Sequence, residues 1–179
     1  LLKSKKTVFA ATAKDPYFSV IKARTAEEEP VTSSITYQKG AWLLHMLRDS
    51  IGHKNFQKGI QSYYQRFMNA NATTDDFREE MEKASGKDLK AFFSQWLYRP
   101  ENPMIKGTWK YDGIKKQLII KLEQVEKNGY LFDLPFELGL YKPGSLLPEI
   151  NKLRLNTKQA EYSIPIDIKP ERMVFDPRT

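Results

Sequence analysis

Two hydrophobic periods divide this chain. From residue 34 to residue 99 apolar side chains recur at steps of three and four, the repeat of one helix face. After Pro100-Glu101-Asn102-Pro103 they alternate with polar ones, the repeat of a half-buried strand. In the first region Trp42, Leu43, Met46, Leu47 and Ile51 predict a helix that Gly52 stops. Phe56, Ile60, Tyr63, Tyr64 and Phe67 predict a second. Asn69-Ala70-Asn71-Ala72 reads as a turn, and Thr73-Thr74-Asp75-Asp76 as the start of a third helix carrying Phe77, Met81 and Ala84. A threonine oxygen can accept from free backbone N–H groups, and the aspartates suit the positive end of the helix dipole. Ser85-Gly86 ends that helix. Asp88 is placed to cap a fourth, with Leu89, Phe92, Phe93, Trp96 and Leu97, which closes at Arg99 because a residue before proline avoids helical geometry.

In the second region 107–111 leads into a turn at Asp112-Gly113. Residues 117–125 and 132–141 read as strands, with further short strands at 150–155, 162–168 and 173–175. Short strands separated by Pro and Gly turns predict an antiparallel sandwich. Pro135 lacks an N–H and so predicts an edge position or a bulge. Residues 1–33 are weakly patterned: the tail of a helix over 1–14, a break at Asp15-Pro16, and a linker at Glu27-Glu28-Glu29-Pro30. The expected organisation is linker and partial helix over 1–33, a helical unit over 34–103, and a β-sandwich over 104–179. The fold class is α+β.

Composition narrows the chemistry. The 179 residues include no cysteine, which excludes disulfides, thiolate metal sites and a cysteine nucleophile. The net charge of +7 comes from lysines scattered over both regions, and the one dense basic run is Lys3-Ser4-Lys5-Lys6. Nucleic-acid recognition asks for a basic stripe, so no nucleic-acid partner is expected. No apolar run approaches the length of about 20 residues that a membrane span requires.

The two histidines, His45 and His53, are eight residues apart across the break at Gly52. A helical zinc site of the His-Glu-x-x-His kind needs them one turn apart around a glutamate. Neither is expected to bind metal. There is no Gly-x-Ser-x-Gly elbow and no Gly-rich phosphate loop. One residue keeps a chemical rationale: Tyr37, at the start of the first helix. A phenol hydroxyl can donate to the oxyanion of a tetrahedral intermediate, and such a donor is worth about 3–4 kcal/mol in a water-poor cleft. From the residues alone, a lone tyrosine is more often a packing residue. Gly40, close by, would allow another backbone to approach.

The segments Tyr37-Gln38-Lys39-Gly40-Ala41-Trp42-Leu43-Leu44-His45-Met46-Leu47-Arg48, Thr73-Thr74-Asp75-Asp76-Phe77, Ala84-Ser85-Gly86-Lys87-Asp88-Leu89 and Phe92-Phe93-Ser94-Gln95-Trp96-Leu97-Tyr98 together resemble the gluzincin zinc aminopeptidases. This is the family of membrane alanyl and puromycin-sensitive aminopeptidases. The resemblance covers residues 34–103 well. The strand region, with Leu134-Pro135 and Val174-Phe175-Asp176-Pro177, is similar to the β-sandwich that follows in the family. It implies the helical C-terminal lobe of a thermolysin-like catalytic domain followed by an Ig-like β-sandwich. It also implies a parent enzyme that removes N-terminal residues from peptides with a zinc-activated water, and Tyr37 as the stabiliser of the tetrahedral intermediate.

The family's zinc ligands, general base and substrate-amine segment are expected upstream of this chain, in the same polypeptide. The chain alone is then expected to be inactive and zinc-free. Its first residue is not Met, in keeping with a boundary inside a longer polypeptide. The wording of 40–48 is closest to bacterial members, some of which are exported. The alternative is a non-catalytic interaction module whose β-sandwich binds a protein partner.

Overall fold

A computed structural model describes residues 8, 10, 19–21, 34–100, 102–126 and 129–177, without the side chains of 34 and 35. The expected break at 15–16 and the acidic linker at 27–30 lie outside the described residues, as does most of the expected N-terminal helix; Val8 and Ala10 are helical. The chain divides into two compact units, Leu1–Asn102 and Pro103–Thr179.

Unit 1 holds helices α1 (Ser34–Ile51), α2 (His53–Phe67), α3 (Thr74–Ser85) and a short α4 (Lys90–Phe93), which widens into a π-helical turn over Ser94–Tyr98. Leu43, Leu47, Ile51, Met81, Leu89, Phe93 and Leu97 form the buried core, with Phe56, Phe77 and Trp96 packed against it. The helix ends follow local chemistry. Thr73 and Asp76 make a reciprocal cap: the Asp76 N–H donates to Thr73 Oγ1 at 3.2 Å, and the Thr73 N–H to Asp76 Oδ2 at 2.8 Å. Gly86 closes α3 in the left-handed region at φ 69°. Arg99 is extended before Pro100, as the proline requires. Asp88 Oδ1 accepts from the Lys90 N–H at 2.9 Å, although the residue at the cap position is Leu89.

Two expectations change here. On α2, Ile60 and Tyr64 are exposed, and the inward face is Phe56, Gly59, Tyr63 and Phe67. A face this narrow follows from the close approach of α3, because a Cβ on Gly59 would stand 2.6 Å from the buried Met81 sulfur. Gly40 plays no such part: a Cβ there meets nothing within 4 Å.

Unit 2 is a sandwich of two three-stranded antiparallel sheets. One has the order β1 (Ile105–Asp112), β2 (Gln117–Gln124), β5 (Gln159–Pro165). The other has the order β4 (Glu149–Leu155), β3 (Leu134–Tyr141), β6 (Arg172–Phe175). Leu118, Ile120 and Leu122 of β2 and Leu134, Phe136, Leu138 and Leu140 of β3 point inward at every second residue. The sheets meet where Phe136 and Tyr162 stack edge to face, centroids 6.2 Å apart.

Pro135 lies in the middle strand of its sheet, not on an edge strand. The position is tolerated because β6 borders only 138–141 of β3, so Pro135 pairs on one side, with Arg154. β5 ends at Pro165 rather than 168, since 166–171 must cross from one sheet to the other.

Candidate active site

Tyr37 is the fourth residue of α1, and its side chain is 70% exposed. None of the described residues bonds its hydroxyl, which is left open to a ligand. At 100° per residue, positions 37, 41, 44 and 48 share one face, and Tyr37, Ala41, Leu44 and Arg48 are all exposed. A separate stripe, Leu43, Leu47 and Ile51, anchors the helix in the core. Tyr37 is therefore carried on a core-anchored helix with its own side chain exposed.

His45 is engaged within its own helix. Its ring meets Trp42 edge-on, centroids 5.7 Å apart, and Arg48 Nη2 donates to its Nδ1 at 3.1 Å. His53 is exposed at the first position of α2. Among the described residues no three His, Cys, Asp or Glu side chains come together in a way that could hold a metal ion. The described residues thus do not themselves form a catalytic zinc site.

Two buried polar features near Tyr37 escaped the sequence reading. Lys39 lies on the buried side of α1, and burial pushes its ammonium below its ordinary pKa. The signal was available, since Lys39 sits four residues before Leu43 on the inward stripe. Gln38 Oε1 and Trp42 Nε1, also four apart, are buried and find no hydrogen-bond partner.

A second polar cluster ties α2 to α3. Glu80 is 3% exposed. It accepts from Lys83 Nζ at 2.8 Å, from Ser62 Oγ at 2.5 Å and from Arg66 Nη1 at 2.7 Å. Those donors, Lys83 foremost, bring its carboxyl down to about 2. Every partner is a donor to the charged form and none is aimed at a cleft, so Glu80 is a structural anchor.

Comparison with known proteins decides what this helical unit is. The model of the peptidase family M1 domain matches residues 3–96. The chain belongs to peptidase family M1. Its M1 relatives include aminopeptidase N of Escherichia coli strain K12, 32% identical over 146 residues, which are 73% of this chain and 16% of that protein. Glutamyl aminopeptidase of Rattus norvegicus is 32% identical over 117 residues, 63% of this chain and 12% of that protein. The crystal structure of Legionella pneumophila aminopeptidase A in complex with aspartic acid superposes with a TM-score of 0.73 at 20% identity. It covers 94% of this chain and 21% of that one, and it shows that both units share the fold of that protein. The chain spans about a sixth or less of the length of these two relatives. The M1 match ends at residue 96, so Tyr37 and the core behind it lie inside the family's own domain, and the sandwich lies beyond it.

Proposed function

We propose that this chain is the part of a zinc-dependent aminopeptidase that presents Tyr37 to the peptide bond being cleaved at a substrate's N-terminus. The observation that carries the reading is a tyrosine hydroxyl held open on the first turn of a core-anchored helix, within the segment that matches family M1. The names of the relatives, aminopeptidase N and glutamyl aminopeptidase, support the reaction class.

Zinc, bound elsewhere in the longer polypeptide, supplies Lewis acidity and an activated water. This chain's own part is different. As a scissile carbonyl becomes tetrahedral, its oxygen takes on negative charge. The Tyr37 hydroxyl donates a hydrogen bond to that oxygen and keeps its own proton. Such a bond is stronger to the oxyanion than to the ground-state carbonyl, so it acts on turnover more than on substrate affinity. The helix supplies the preorganisation: Leu43, Leu47 and Ile51 fix its axis, and the tyrosine has only its own torsions left to set.

The test is Tyr37→Phe in the aminopeptidase polypeptide that contains this segment. Turnover of an aminoacyl-4-nitroanilide should fall at least about 100-fold, with zinc content per chain unchanged. An unaltered turnover number removes Tyr37 from the mechanism. The 179-residue chain by itself should release no nitroaniline and retain no zinc after dialysis.

A further inference from the structure

Strand register gathers three connections at one end of unit 2. Asp112 pairs with Gln117, which sets the β1–β2 turn there. Gln117 also pairs with Pro165, and the Ile166 N–H donates to the Lys116 carbonyl at 3.0 Å, so β5 finishes beside that turn. In the other sheet Tyr141 pairs with Arg172, and the Glu171 N–H donates to the Tyr141 carbonyl at 2.8 Å. The β3–β4 connection therefore starts where the crossing segment 166–171 arrives. Six residues reach about 20 Å at most, and packed sheets stand about 10 Å apart, so both hairpin tips lie at one end. Pro103 enters at the other end, because Ile105 pairs with Gln124.

This one end carries the three most exposed large apolar side chains of the described residues: Ile114 at 97%, Leu146 at 93% and Leu147 at 81%. Ile168, on the crossing segment, is 55% exposed. Cations outnumber anions in the same segments. Residues 110–117, 142–149 and 165–172 contain six basic and four acidic side chains. Three of the acidic ones are engaged locally. Asp112 accepts from the Ile114 and Lys115 N–H groups of its own turn, Asp167 pairs with Lys116 at 3.4 Å, and Glu149 pairs with Lys142 at 3.2 Å. Two cations lie against aromatic faces just behind the tips: Arg172 over Tyr141 at 4.0 Å and Lys169 over Trp109 at 5.9 Å.

We propose that this end of the sandwich docks on an anionic lipid surface, with the three loops inserting Ile114, Leu146, Leu147 and Ile168 between headgroups that the surrounding lysines attract. The shape favours lipid over a protein partner. The apolar side chains stand on three loops, and Ile114, Leu146 and Leu147 are open on nearly every side, so they make knobs rather than a flat patch. A protein would need a matching hollow for each knob, whereas a bilayer interface yields to knobs at any spacing. Trp109, Tyr111 and Tyr141 lie one step behind, where amphipathic rings suit the headgroup level.

The test is co-sedimentation of the 179-residue chain with vesicles of phosphatidylcholine and phosphatidylserine at about 7:3, against phosphatidylcholine alone. The chain should bind the anionic vesicles at least about tenfold more tightly, and the gain should shrink as salt rises from about 0.1 M to about 0.5 M. Ile114→Ser combined with Leu147→Ser should weaken binding at least about tenfold, because both side chains lose their apolar transfer. Lys115→Glu, which leaves the apolar tips intact, should weaken it by about fivefold or more. All three positions in these tests are exposed, and unchanged circular dichroism will certify each variant as folded. No binding, equal binding to both vesicles, or full binding by the double variant overturns the proposal. So does an outcome in which the vesicles are ignored and the double substitution instead abolishes self-association in sedimentation velocity, which would make the tips a protein contact.

Discussion

The helical unit and the sandwich both enclose a polar group, but they do it in different ways. In unit 1 the group is charged: Glu80 is held by Ser62 and by Lys83 and Arg66, whose cationic ends reach water. In unit 2 it is a neutral amide. Gln124 Nε2 donates to the Phe132 carbonyl at 2.8 Å and the Thr157 carbonyl at 3.1 Å, and its Oε1 accepts from the Phe132 N–H at 2.8 Å. The carboxylate joins two helices, and its hold depends on pH. The amide joins a strand to two connections, and its hold does not depend on pH. The two proposed roles separate along the same line, since Tyr37 stands on the helical unit inside the family match and the apolar loops stand on the sandwich outside it.

Substitutions can sharpen or break this contrast. The largest expected loss is in the apolar cores: Leu47→Ala in unit 1 or Leu138→Ala in unit 2, both fully buried, should each cost about 3–5 kcal/mol in urea unfolding. Next comes Gln124→Leu, which keeps the volume and removes the bonds. It should cost about 2–3 kcal/mol, with no dependence on pH between about 3 and 7. A loss below about 0.5 kcal/mol would mean the amide is dispensable.

Glu80→Gln should cost less, about 1–2 kcal/mol near neutral pH, because the cations it leaves behind are solvated. The pH signature follows from its lowered pKa. The folded-state value of about 2 lies below the ordinary 4.5, so the stabilisation is complete above about 5 and is lost as pH falls toward 2. In Glu80→Gln that part of the acid dependence should vanish; an identical pH profile would refute the assignment. The smallest stability change belongs to Tyr37→Phe, within about 0.5 kcal/mol, since the side chain is exposed. On the proposed function the same substitution has the greatest effect on turnover. A Tyr37→Phe chain that unfolds easily would make the Tyr37 hydroxyl a structural group instead.

Periodicity made most of the architecture legible before any coordinates. Leu43, Leu47 and Ile51 announced α1, the Thr73–Asp76 pair announced the start of α3, and the alternation of β3 announced its buried face. What escaped depends on partners distant in sequence. Nothing local to Gly59 says that Met81 will press against it, and nothing local to Pro135 says that β6 will stop short of it. Gln124 was half legible, because it follows Leu118, Ile120 and Leu122 at inward positions, where a polar side chain asks for an explanation. For the site, Tyr37 could be singled out, but its exposure could not, and the gathering of Ile114 and Leu146 at one end required the strand register.

The contact between Gly59 and Met81 bears on how this molecule ages. Oxidation of a methionine adds an oxygen to its sulfur, and the Met81 sulfur has no room for one while α2 and α3 stay together. Met68 and Met104 are open to solvent and will react first. Sulfoxide at Met81 therefore forms only in molecules whose helices have parted. Because the swollen side chain then obstructs their return, damage at that single atom turns a passing separation into a permanent one.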